Sequence, residues 1–227
     1  MQKNNLLKEK NFLHAAEVMQ NLIAQWEEQL NLMYIQSSGS LLNLEMGLFD
    51  ESIYKETLET INENIKQLIS TMKYFNDYFN KSNEITFFNL ENCIQNSLTL
   101  LQLFLKKSKI IVYTTYSTHI EICGVETEMM QVFLNILNDY IYILTQNRSR
   151  KKRYILISTQ STMNQIEISI KSNSKNSIEF LKKSPTLPTS TEIIEENFNG
   201  KIQIKKEEFY IKGERFCSSN FTITLNK

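Results

Sequence analysis

Glu128-Met129-Met130-Gln131-Val132-Phe133-Leu134-Asn135-Ile136-Leu137-Asn138-Asp139 sits within a longer stretch, 126–145, that is rich in apolar residues. A helix apolar on most of its sides belongs in a core, so this segment is expected to be helical and largely buried. Outward from it the pattern turns to strands. Residues 110–116 are β-branched and aromatic, and 119–125 forms another short run. Downstream, 154–159, 165–170, 201–205 and 221–225 read as strands, with a further one at 209–211. Helices are expected at 90–106 and 191–198. Helices grouped with a mixed sheet predict an α/β sandwich of two layers.

The N-terminal third has a different period. Phe12, Ala16, Met19, Ile23, Trp26, Leu30 and Met33 step by three and four, as do Tyr54, Leu58, Ile61, Ile65, Leu68, Met72, Phe75 and Phe79. Each stripe predicts a helix with one face against a partner. No proline precedes Pro185. Gly47 can close the first helix, and Asp50 or Ser52 can cap the second. The expectation is an antiparallel helical hairpin over 1–82, completed to a four-helix bundle by a second copy in a homodimer. The α/β sandwich then occupies 83–227. The fold class is α+β.

Bulk properties exclude several classes. The 227 residues are 41% hydrophobic and 11% aromatic, with 25 Lys and Arg against 25 Asp and Glu. Zero net charge gives no general case for nucleic acid or an acidic membrane. There is no apolar run of the roughly 18 residues a membrane span needs, and the polar start lacks a signal-peptide core. Cys93, Cys123 and Cys217 are widely spaced and odd in number. They are expected to be reduced, buried, structural thiols, which places the chain in the cytoplasm. The cluster Arg148, Arg150, Lys151, Lys152 and Arg153 reads as a solvated turn at a helix C-terminus. His119 has no metal-spaced partner and reads as structural. Trp26, on the hairpin seam, reads as core packing.

Four stretches resemble the sensor histidine kinases. Residues 13–31, LHAAEVMQNLIAQWEEQLN, are similar to the first-helix pattern A-S-M-G-E-M-I-G-N-I-A-H-Q-W-R-Q-P-L-N of one group of that family. Glu17, Asn21, Gln25, Trp26, Leu30 and Asn31 fall in register without a gap. The family's histidine lands on Ala24, its arginine on Glu27 and its proline on Gln29. The quoted stretch 128–139 resembles the family's N-box, with Asn135 inside it and Asp139 where its last asparagine would hold magnesium. Residues 193–202 are similar to the helix-to-strand segment after the family's second glycine box, and 221–225 to its terminal strand. The resemblance implies a dimerisation and phosphotransfer hairpin followed by a GHKL-type ATPase-like domain.

The reactive parts of that pattern are missing. Alanine at 24 has no nitrogen to attack a phosphate. The chain has five glycines, and none lies between Gly124 and Gly200. Nucleotide boxes need glycine so that backbone N–H groups can approach phosphate. Where the first box would stand, 172–177 reads SNSKNS, and where the second would stand, 182–188 reads KKSPTLP. ATP and magnesium binding are therefore expected to be lost. A lone carboxylate, Asp139, is a weak magnesium site, and it reads as a solvated or hydrogen-bonded helix aspartate.

The functional expectation is a non-catalytic histidine-kinase-like regulatory protein of two-component signalling. It would bind a response regulator receiver domain or a partner kinase through the helical surface at Gln20, Ala24, Glu27 and Glu28. Because the hairpin begins so near Met1, no sensor domain is expected. The alternative is a histidine phosphotransfer protein using His14. Ten residues before Ala24, His14 lies about 80° from that position around the helix axis.

Overall fold

The computed structural model describes residues 23, 26–48, 50–80, 84–117, 119–146, 152–174, 177–211 and 213–227. By its contacts the chain divides into two compact units, one ending at Asp77 and the other beginning at Tyr78.

The first unit is helical. Helix α1 covers residues 26–45 and α2 covers Glu51–Asn80. The turn between them follows from its residues. Gly47 has φ +73°, its N–H donates to the Leu44 carbonyl at 3.0 Å, and Leu48 N–H donates to that of Asn43 at 2.8 Å. These two bonds close α1 in a Schellman motif, whose left-handed residue suits glycine. Asp50 Oδ1 then accepts from the N–H groups of Ser52 and Ile53 at 2.9 and 3.3 Å, which caps α2. Trp26 Nε1 donates to Thr71 Oγ1 at 3.2 Å, and the Tyr54 hydroxyl donates to the Ser40 carbonyl. Met33 and Leu68 are buried, whereas Leu30, Leu58, Ile65 and Met72 of the same stripes are exposed.

The second unit is a sheet with helices on one face. Its elements are β1 (Thr86–Asn89), α3 (Leu90–Leu100), α4 (Gln102–Lys107), β2 (Ile110–Thr115), β3 (Glu121–Gly124), α5 (Glu126–Gln146), β4 (Arg153–Ser161), β5 (Gln165–Ser172), α6 (Ser177–Lys182), α7 (Leu187–Asn197), β6 (Gly200–Ile211) and β7 (Glu214–Asn226). The main sheet has the order β2-β4-β5-β7-β6, in which only β2 and β4 run parallel. The short β1 and β3 pair antiparallel.

Alternation along the strands separates two faces. Ile155 and Ile157, Ile168 and Ile170, and Phe221 and Ile223 are all buried toward the helices. The opposite face carries an aromatic cluster of Tyr113, Tyr154, Phe209 and Phe216. Helix α5 is the central core element, with Met129, Phe133, Leu134, Leu137 and Tyr140 almost wholly enclosed.

Several local expectations change. The helix at 90–106 is two helices, broken at Leu101, whose φ of −96° and ψ of 2° leave helical geometry. The strands at 201–205 and 209–211 are one strand, β6, held continuous by pairing with β7 along its whole length. Residues 177–182, which the sequence pattern assigns to no element, form α6, and α7 begins at Leu187 with Pro188 in its first turn. That position suits proline, since first-turn N–H groups have no intrahelical acceptor. Of the cysteines only Cys93 is buried; Cys123 and Cys217 are exposed because they fall at outward positions of β3 and β7.

Candidate functional site

The site is built on α5. Asn135 and Asp139 stand four residues apart and so share a face of that helix. Opposite them run the turn at 183–186 and helix α7. Asn135, 2% exposed, donates through Nδ2 to Ser190 Oγ at 3.0 Å. Its Oδ1 is buried without a partner. One turn on, Asp139 Oδ2 accepts from Thr186 Oγ1 at 3.3 Å, and Thr186 in turn meets Ser184 Oγ through its hydroxyl (2.9 Å) and N–H (3.3 Å). Burial pushes the Asp139 carboxyl above its ordinary range, an effect partly offset by bonds from Ser184 and Thr186. At the start of α5, burial likewise raises Glu128, while Asn197 Nδ2 donates to its Oε2 at 2.8 Å.

Helix α6 is fastened to the sheet by hydroxyls. Ser177 Oγ lies 2.9 Å from Ser218 Oγ, is bonded to Ser219 Oγ, and accepts from Ser219 N–H at 3.3 Å. Ser174 offers its carbonyl to Ser177 Oγ at 3.3 Å and also to Ser218 Oγ. Ser172, Ser174, Ser177, Ser218 and Ser219 are all buried. Beneath them the fully buried Tyr140 hydroxyl donates to the Ile170 carbonyl at 2.8 Å. Tyr142 of α5 stacks on Phe180 of α6 with ring centroids 5.1 Å apart. The segment from Ser177 to Asn197 is thus laid against α5 by polar bonds, ring stacking and the buried Ile193 and Ile194. A Cβ built on Gly124 would come within 2.3 Å of the Phe198 ring, which therefore closes the end of α7 against β3.

Asn135 and Asp139, both singled out from the sequence, are brought together here. Glu27 and Glu28 are exposed on α1, in the first unit. His14, Gln20 and Ala24 lie outside the described residues, as do Arg148, Arg150 and Lys151. His119 is exposed, with φ 36°. Sequence reasoning missed Ser190, Thr186 and the serines of α6 and β7. For Ser177, Thr186 and Ser190 the available signal was the density of hydroxyl residues in the glycine-free stretch; the β7 serines lie outside it. Among the described residues, no three His, Cys, Asp or Glu side chains gather where a metal ion could be held. No helix among them is long and apolar enough to cross a membrane.

Solved structures with a similar fold exist. The catalytic domain of histidine kinase ThkA superposes with a TM-score of 0.51 at 20% identity, covering 63% of this chain and 96% of that one. That share of the chain is close to the size of the second unit. The second unit has the fold of a histidine kinase catalytic domain. Two longer kinase structures score lower. Acinetobacter baumannii histidine kinase AdeS gives 0.48 at 16% identity, covering 87% of this chain and 94% of that one. ThkA in complex with response regulator protein TrrA gives 0.49 at 17%, covering 100% and 65%. Scores below 0.5 carry no weight for the fold. No family model matches the sequence, and no curated protein matches it.

Proposed function

We infer that the chain is a histidine-kinase-like protein that binds signalling partners and does not transfer phosphate. The carrying observation is at the α5 site. Asn135 Nδ2 is held by Ser190 and Asp139 Oδ2 by Thr186, so two of the polar groups that the N-box resemblance would aim at nucleotide and magnesium are engaged by the chain's own α7 and its leading turn, while Asn135 Oδ1 stays without a partner. Absence of glycine across this region and alanine at 24 support the same reading. Backbone N–H groups without glycine cannot crowd a phosphate, and a methyl group has no lone pair.

The helical unit supplies the binding surface. Leu30, Tyr34, Ile35, Leu58, Ile65 and Ile69 are each more than 40% exposed in the single chain. Apolar area on that scale marks an interface, and a second copy laid against it gives a four-helix bundle. Glu27 and Glu28 are exposed beside position 24, where the resemblance places receiver docking; a receiver domain or a partner kinase is the proposed ligand. Calorimetry of the full chain with ATP and magnesium tests the first part. No binding heat is expected, and micromolar affinity overturns the reading. Copurification with a receiver domain or a kinase, weakened by Glu27→Lys with Glu28→Lys, tests the second.

A further inference from the structure

The two edges of the main sheet are unlike. Edge strand β6 carries Lys201, Lys205, Lys206, Glu207 and Glu208, the charges with which proteins ordinarily discourage strand pairing. Edge strand β2 is Ile-Ile-Val-Tyr-Thr-Thr, without charge, proline or glycine, and among the described residues its strand partner β4 lies on one side alone. Beside its outer edge runs an open groove of about 280 Å³ between β2 and the helices α3 and α4. Leu98, Leu105 and Val112 form its apolar lining, and Gln95, Gln102 and Thr114 its exposed polar rim. On the other face of the strand, Ile111 is 41% exposed and Tyr113 packs on Tyr154.

We propose that β2 is a docking edge for an extended acidic peptide segment of a partner protein, which joins the sheet as an additional strand. Side chains of such a strand alternate, so one set enters the groove beside Val112 while the other rests on Ile111 and Tyr113. Backbone bonds to the open edge give affinity, and the alternating pockets give selectivity. The charge of the partner follows from the ends of the strand. Lys106 and Lys109 are exposed where β2 begins, whereas the negative charge of Glu91 acts on Tyr116 where it ends. An acidic cluster on the partner therefore seats at the Ile110 end. This edge is remote in sequence from the hairpin surface, and the proposal stands apart from the loss of phosphate transfer.

The test is fluorescence polarisation with the full chain and two labelled peptides of alternating valine and threonine, one ending in three glutamates and the other in three lysines. The acidic peptide is expected to bind, and the basic one to bind at least about tenfold more weakly. Lys106→Glu with Lys109→Glu, both at exposed positions, should invert that preference. Val112→Glu should abolish binding; the lysine pair remains informative if this variant does not fold. Hydrogen exchange at 110–115 should slow on adding the acidic peptide, with β6 unchanged. Failure of both peptides to bind, equal affinity for the two, or protection at β6 in place of β2 would overturn the proposal. So would exchange at 110–115 that slows with protein concentration alone, because a second copy would then be the occupant.

Discussion

Tyr140 shows what a single buried hydroxyl does in this molecule. It has no exposed surface, and its hydroxyl serves the Ile170 carbonyl at 2.8 Å and that of Ser219 at 3.3 Å. Burial pushes its ionisation well above the ordinary tyrosine range, so it acts as a neutral donor. Tyr140→Phe leaves those carbonyls in a dry site and should cost about 1–3 kcal/mol in urea unfolding. Asp139 works in the opposite sense. Its folded pKa lies above the unfolded one because burial disfavours the charge. Its contribution to stability is therefore greatest below the ordinary aspartate value and is lost as pH rises through the folded value. Asp139→Asn should raise the urea midpoint at about pH 7 and leave it nearly unchanged at about pH 4. Glu128, shifted the same way by burial, will retain part of the slope in that variant.

At the scale of elements, the junctions decide where helices stop. The α1–α2 turn depends on Gly47 at φ +73°, so Gly47→Ala should cost roughly 1–2 kcal/mol, read as a lower thermal midpoint. The contact between β3 and the end of α7 depends on the missing side chain of Gly124. A Cβ there would sit 2.3 and 2.9 Å from two Phe198 ring atoms, and Phe198 also meets Phe88 edge-on at 6.4 Å. Gly124→Ala should destabilise by about 1–3 kcal/mol through overpacking, and the double variant with Phe198→Leu should recover part of that loss. Both glycines stand out in a chain with so few, yet only Gly47 could be assigned a role from its neighbours. The ring that crowds Gly124 lies 74 positions away in the chain.

For the whole molecule, the exposed apolar residues of α1 and α2 are what the proposed homodimer would cover. Leu58 is 64% exposed and Ile65 41%, values that a second copy would reduce. Sedimentation should therefore give twice the 26.7 kDa chain mass. Leu58→Glu with Ile65→Glu should yield a folded monomer, since neither residue is buried in the single chain. A monomeric wild type at micromolar concentration would end the four-helix-bundle proposal.

Sequence alone determined whatever depends on near neighbours. Three-and-four spacing marked α2, and the part of the first stripe from Trp26 to Met33 falls in α1, while Phe12, Ala16 and Met19 lie outside the described residues; β-branched runs marked β2, β4 and β5, and Gly47 and Asp50 marked a turn and a cap. It also determined which atoms are missing, since alanine at 24 and a glycine-free stretch need no coordinates. Tertiary structure decided the rest. The bond from Asn135 to Ser190 joins residues 55 apart, the Ser177–Ser219 contact residues 42 apart, and the fusion of two short strands into β6 needed β7 beside it. Which strand lies at an edge is likewise a property of the sheet. Backbone preference is set by a residue and its immediate neighbours, whereas a distant pair forms only when packing of the entire unit repays the entropy of bringing it together.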